Sequence, residues 1–209
     1  VGPGSSVKRR NEIEGALSFL KERGPDHQGI WAEGEVGLGH TRLSIIDLDP
    51  RSNQPFLVED RVALTYNGEI YNFETLRNEL TGLGHRFRSR SDVEVLVHAY
   101  EQWGEAFLKR VHGMFALALW DGRTRTLLAA RDRAGEKPLY YAQTPERLLF
   151  ASEMKALLCY RELPTSINPE AIEDYLSIRY VTGPTSIFNE IKRLPAGHYL
   201  TRKNGRTEI

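Results

Sequence analysis

The apolar run Val62-Ala63-Leu64 leads into Tyr66-Asn67-Gly68-Glu69-Ile70-Tyr71-Asn72, and the helical spacing of Leu76 and Leu80 follows. A buried strand, a sharp Asn-Gly turn and a helix are expected in that order, because glycine accepts backbone angles that other residues resist. The junction leaves two readings open. In one, Asn72 caps the helix and the turn is architecture only. In the other, the Asn67 amide and the Gly68 N–H sit at the mouth of a sheet, aimed the same way, where a developing oxyanion would be received.

The flanking sequence supplies short elements. From Arg9, residues Ile13, Ala16, Leu17 and Leu20 recur at helical spacing, with Gly24 at the C′ position and Pro25 preventing continuation. Strands are expected at 29–32 and 36–40 around Glu33-Gly34-Glu35, then a mostly buried strand over 42–48 and a loop over 49–55. Arg42 at the start of that strand either snorkels at an edge or offers a guanidinium fork to a planar acid. A helix over 73–80 stops at Gly82-Leu83-Gly84. Ser91 and Glu94 have the spacing of a capping box ahead of Val95, Leu96, Ala99, Tyr100 and Trp103. Asp92 then falls in the first helical turn, where the helix dipole favours a carboxylate, and where a fixed charge would also pair with a substrate ammonium.

Further on, strands at 113–120 and 126–131 pair across Asp121-Gly122-Arg123, and short strands follow at 138–142 and 148–151. Helices are expected from about Ser152 to Leu158 and from Asn168-Pro169-Glu170 to Ile178, with a last strand at 197–201. Many short strands in hairpin order with segregated helices imply one α+β domain with antiparallel sheets across residues 1–209.

Composition excludes several classes of partner. Lysine plus arginine number 28, equal to aspartate plus glutamate, so no electrostatic drive exists toward nucleic acid or an acidic membrane. The longest apolar runs, such as 114–120, are too short to span a bilayer, and no signal peptide pattern is present. Cys159 is the single cysteine, which excludes an internal disulfide and fits a reducing, cytoplasmic setting. It is expected to be a thiol without chemistry. No Cys/His cluster has metal-ligand spacing, so no metal and no other cofactor are expected in this domain.

Eight motifs occur in order: Arg23-Gly24-Pro25-Asp26, Arg42-Leu43-Ser44-Ile45-Ile46-Asp47, 66–72, Ser91-Asp92-x-Glu94, Gly113-Met114-Phe115-Ala116, Ala130-Arg131-Asp132-Arg133, Lys137-Pro138-Leu139-Tyr140-Tyr141 and Ala151-Ser152-Glu153-x-Lys155-Ala156-Leu157. Over about residues 23–200 the chain resembles the glutaminase domain of glutamine-hydrolysing asparagine synthetases, a class II glutamine amidotransferase of the N-terminal nucleophile type. The resemblance implies a four-layer αββα sandwich of two antiparallel sheets that hydrolyses glutamine to glutamate and ammonia. A C-terminal synthetase domain would use ATP and magnesium to amidate aspartate with that ammonia, in asparagine biosynthesis. A homodimer is among the assemblies it allows. It also implies that Arg42 holds the glutamine α-carboxylate and Asp92 its α-ammonium. Backbone groups of Leu43, Ser44, Ile45 and Ile46 would line the pocket, Glu69 would touch substrate, and Asn67 and Gly68 would form the oxyanion hole.

The nucleophile of that family is an N-terminal cysteine whose own α-amine is the base. The sequence as given begins at Val1, and Val1-Gly2-Pro3-Gly4 resembles the tail of the family's first strand. The expectation is therefore a cysteine and strand missing from this sequence. Cys159 has no free α-amine and cannot substitute. Smaller departures are Glu22, where the family often has histidine, and Glu136, where it usually has an apolar residue. No Ser-Gly-Gly-x-Asp-Ser phosphate loop occurs, so these residues are expected to supply at most half of a synthetase reaction. Two alternatives stand beside this reading: a glutaminase-like domain that binds glutamine or docks a synthetase without hydrolysis, and an amidotransferase with a different acceptor.

Overall fold

The computed structural model describes residues 6–45, 48–58 and 61–209. In chain order these form α1 (Ser6–Ser18), β1 (His27–Glu33), β2 (Val36–Arg42), β3 (Phe56–Val58), β4 (Val62–Ile70), α2 (Phe73–Gly82), α3 (Asp92–Trp103), β5 (Gly113–Asp121) and β6 (Thr126–Arg131). There follow β7 (Tyr140–Gln143), β8 (Leu148–Ala151), α4 (Met154–Leu158), α5 (Pro169–Ile178), β9 (Ile191–Arg193), β10 (Tyr199–Lys203) and β11 (Arg206–Glu208). One antiparallel sheet has the order β11-β10-β6-β5-β4-β3; a second layer holds the β1-β2 hairpin and the β8-β7-β9 sheet.

Strand alternation sets the layers. Leu64, Tyr66 and Ile70 of β4, with Phe115, Leu117 and Leu119 of β5, pack on Leu76 and Leu80 of α2 and on Val93, Leu96 and Val97 of α3. The residues between them, Ala63, Ala116, Ala118 and Trp120, turn to the opposite face and meet Val36, Leu38, Leu139 and Leu148. Small alanines on this face let the two sheet layers approach. On the far side of β2, a Cβ on Gly37 would meet Ile13 and Arg9, and one on Gly39 would meet Ile13 and Leu17, so α1 lies directly on that strand. Leu157 of α4 packs against Ala142 and Ile191 of the β8-β7-β9 sheet. The result is helices, sheet, sheets, helices: the expected αββα order.

Among the described residues β2 pairs only with β1, and β8 only with β7. A groove of about 490 Å³ lies between those two free edges, walled by α1 and α4.

Several local expectations are corrected. The Asn67-Gly68 pair does not turn: β4 runs through it to Ile70, with Asn67 opposite Ala116 and Gly68 opposite Phe115. Glycine is required because a Cβ at Gly68 would stand 2.1 Å from the Met114 carbonyl oxygen. Gly68→Ala should therefore destabilise the chain by about 3 kcal/mol, the upper range for overpacking. An unchanged denaturant midpoint would show that β4 and β5 separate freely here. Gly24 is likewise set by close approach, its Cβ position lying 2.3 Å from the Thr41 carbonyl, and α1 ends earlier than expected, at Ser18.

The strand expected over 42–48 ends at Arg42, and Leu43 to Ile45 are loop. Asp26 accounts for this: its N–H donates to the Arg42 carbonyl at 3.0 Å, and its Oδ2 accepts from the Ser44 N–H at 2.7 Å. Asn72 does not cap α2, because its side chain is taken by the Arg110 carbonyl and the His112 N–H. Ser91 and Glu94 make no capping box. Glu94 instead accepts from the N–H groups of Arg88 and Ser89 and from Ser89 Oγ, since the preceding segment folds back over it. Asn168 caps α5 as expected, accepting from the Glu170 N–H at 3.1 Å.

Candidate active site

At the C-terminal ends of β2 and β4, facing the start of α3, lies a cavity of about 290 Å³. Arg42, Leu43, Ile45, Asn67, Gly68, Glu69 and Asp92 all line it, so the fold gathers residues spread over 50 positions of sequence (from 42 to 92). Ser44 is not among the lining residues; its N–H is committed to Asp26. Ile46 lies outside the described residues.

Each side chain is placed by its element. Asn67 sits on the alanine-rich inner face of β4, and its Nδ2 is buried with no hydrogen-bond partner among the described residues. Buried amide donors are normally paired, so this one is an energetic cost unless an acceptor arrives. Arg42, the last residue of β2, is buried, and its Nη1 donates to Asn53 Oδ1 at 2.7 Å and to the Asp49 carbonyl at 3.2 Å. These contacts fix the guanidinium plane.

Asp92, the first residue of α3, is also buried. Its Oδ2 accepts from the Tyr66 hydroxyl at 2.8 Å and from the Ile70 N–H at 3.1 Å. Burial pushes its carboxyl up, and these donors offset only part of that rise. Burial and the Asp92 charge push the Tyr66 phenol far up, so it remains a donor. Its partners were not foreseen: the Tyr66 N–H donates to Gln54 Oε1 at 2.6 Å, and its carbonyl accepts from His40 Nε2 at 3.0 Å. Burial holds His40 down at about 4, which keeps the ring neutral near pH 7.

Cations and anions share this cavity. Arg23, Arg42 and Lys137 line it together with Glu69 and Asp92, and Arg23 is steered by Glu153 at 2.9 Å. Lys137 arrives on a loop organised by Asp132, whose carboxylate accepts from the N–H groups of Phe115, Ala134, Glu136 and Lys137. Arg131 reinforces that loop by donating to the carbonyls of Lys137, Leu194 and Gly135. Asp132 belongs to the Ala130-Arg131-Asp132-Arg133 motif, whose spacing carries no sign of this role. Cys159 lines the groove and not the cavity; its thiol is pushed up by burial and donates to the Ala156 carbonyl.

An αββα sandwich with this cavity at its strand ends is the architecture of the N-terminal-nucleophile glutamine amidotransferases. The glutamine phosphoribosylpyrophosphate amidotransferase of Bacillus subtilis superposes with a TM-score of 0.69 at 19% identity, over 94% of this chain and 45% of that one. An allosteric regulatory enzyme of purine biosynthesis superposes at 0.59 with 18% identity, over 85% of this chain and 35% of that one. The sequence model of the glutamine amidotransferase domain matches residues 2–209, and the chain belongs to that family. Asparagine synthetase (glutamine-hydrolysing) 3 of B. subtilis is 36% identical over 199 residues, covering 93% of this chain and 32% of the relative. Asparagine synthetase 2 of the same organism is 40% identical over 194 residues, with 90% and 26% covered. Amidase chry2 of Gibberella zeae is 37% identical over 202 residues, with 94% and 29% covered. The chain thus spans about a third or less of the length of these relatives.

Proposed function

We infer that the cavity binds glutamine and that the domain releases ammonia from its side-chain amide for an asparagine synthetase reaction. The Nδ2 of Asn67, without a partner among the described residues, carries this reading: a buried donor on a residue that lines the cavity is matched by the oxyanion of a tetrahedral acyl intermediate. Glutamine is a zwitterion, and the cavity has both signs. Its α-carboxylate pairs with the Arg42 guanidinium and its α-ammonium with Asp92, while Leu43, Ile45 and Glu69 line the remaining wall. The attacking nucleophile is a cysteine thiol on a strand seated in the groove between β2 and β8, which Asn67 and His40 also line. That strand would join the two second-layer sheets into one.

The ammonia passes to a synthetase domain in which ATP and magnesium activate aspartate. The similarity to two glutamine-hydrolysing asparagine synthetases supports that partner. So does α5, whose Ile172, Tyr175, Leu176 and Ile178 are exposed apolar residues. No helix among the described residues is long and apolar enough to cross a membrane, and we place the reaction in the cytoplasm.

The test joins this chain to an N-terminal cysteine strand and follows glutamate release. Asn67→Ala should lower kcat by about two to three decades, the usual cost of one oxyanion donor. A loss of only a few fold would leave Asn67 a merely structural role. Asp92→Asn should weaken glutamine binding more than binding of its deaminated analogue. Equal losses would restrict Asp92 to holding Tyr66 and Ile70 in place.

A further inference from the structure

Away from the cavity, α3 carries His98 and Glu101 one turn apart on a single face, and the end of α2 brings His85 against them. The approach of His85 is built into the backbone. Its N–H donates to the Leu80 carbonyl and the Gly84 N–H to that of Thr81, a Schellman closure that uses positive φ at Gly84. His85 Nδ1 lies 3.2 Å from His98 Nδ1, and His98 Nδ1 lies 2.9 Å from Glu101 Oε2. The ligand atoms of the three residues all fall within 4.8 Å of one another.

The outer nitrogens are held as well. Gln102 Oε1 accepts from His85 Nε2 at 3.0 Å, which leaves the lone pair of His85 on the inward Nδ1. Glu94 Oε1 lies 3.8 Å from His98 Nε2, and Glu94 is itself fixed by Arg88 and Ser89. The Phe87 and His98 rings meet edge to face, with centroids 4.8 Å apart. Two acceptors, the His85 lone pair and the Glu101 carboxylate, therefore converge on one His98 nitrogen, and a single proton there can serve only one of them fully.

Tetrahedral ligands at zinc's bond lengths of about 2.0–2.2 Å stand roughly 3.3–3.6 Å apart. The 2.9 and 3.2 Å spacings here are shorter and would open by on the order of 0.1–0.7 Å around an ion, while all three atoms already lie within 4.8 Å of one another. The geometry points to a binding site for one zinc-class divalent ion on His85, His98 and Glu101, with Gln102 and Glu94 orienting the rings. Paired imidazoles with one carboxylate suit this class over magnesium or calcium. The ion ties the end of α2 to the middle of α3. His98 and Glu101 stand six and nine residues beyond Asp92, or about 9 and 14 Å along the helix, so the site is separate from glutamine chemistry. Sequence spacing did not show it, because His85 and His98 are 13 residues apart and lie on different elements.

The test titrates the untagged, metal-free chain with Co2+ and then Zn2+. One equivalent of Co2+ should give the visible absorption of a four-coordinate nitrogen and oxygen site, and Zn2+ should displace it and raise the Tm. His85→Asn and Glu101→Gln should each weaken binding at least tenfold while leaving the circular dichroism unchanged. Gln102→Ala should weaken it by about tenfold, as loss of an orienting contact does. Cys159→Ser should leave it unchanged. Absence of binding at about a hundred micromolar metal would overturn the assignment, as would binding that His85→Asn and Glu101→Gln leave intact.

Discussion

Arg42→Ala is expected to abolish glutamine binding at millimolar concentrations, measured by calorimetry on the folded chain. A charge-assisted, two-pronged contact with a carboxylate contributes about 3 kcal/mol, which is roughly two decades in affinity. Truncation also removes the Arg42 donor from Asn53 Oδ1 and from the Asp49 carbonyl, which keeps the Ser52 N–H, so the loop over 49–53 should loosen. Arg42→Lys separates the two effects. It keeps the charge and loses the planar fork, and should weaken glutamine by at least tenfold with the fold intact. Unchanged affinity in both variants would remove Arg42 from the pocket.

The second large effect belongs to stability. Asp132 is buried and collects four backbone N–H groups, three of them from the turn that follows it and one from β5. Asp132→Ala leaves those donors unpaired. At about 1 kcal/mol or more each, the loss should be about 4 kcal/mol, a fall in Tm of roughly 10 °C for a chain of this length. Burial alone would raise the Asp132 carboxyl, but N–H donors, Lys137, Glu136 and Phe115 foremost, outweigh it and hold the group below its ordinary value. A depressed folded-state value means that the unfolded chain binds the proton more readily. The contribution is therefore complete above the ordinary carboxylate range and lost as pH falls through the folded value. Acid unfolding of the wild type should show this step, and Asp132→Ala should lack it. A Tm within 2 °C of wild type would refute the role.

Much of this was legible from local pattern, but for mixed reasons. The α5 start combines cap, proline and acid within three residues, so nothing distant was needed to find it. Asn67, Gly68 and Asp92, picked out from separate local patterns, line one cavity, although Asn67-Gly68 lies inside a strand and not at a turn. What demanded glycine was the Met114 carbonyl, 46 residues away in sequence and across the ladder. Residues 43–45 read as strand because apolar Leu43 and Ile45 alternate with Ser44, while the side chain that holds them in a loop is Asp26, 18 residues before Ser44. The Glu94 carboxylate had the spacing of a cap and found stronger donors upstream. Strands β3, β9 and β11 have three residues each, too few to express a period. His40 and Gln54 carry no local signal for their contacts with Tyr66, which exist only once β2, β4 and the loop before β3 are folded together.

The free edges of β2 and β8 bear on how this chain behaves in concentrated solution. Strand edges with no pairing strand among the described residues, bordering an apolar trough, are a template for an extended segment, including one from a neighbouring molecule. Solubility and shelf life of these 209 residues are then governed by what fills that trough. A short extended peptide supplied in trans should suppress self-association by occupying the same edges.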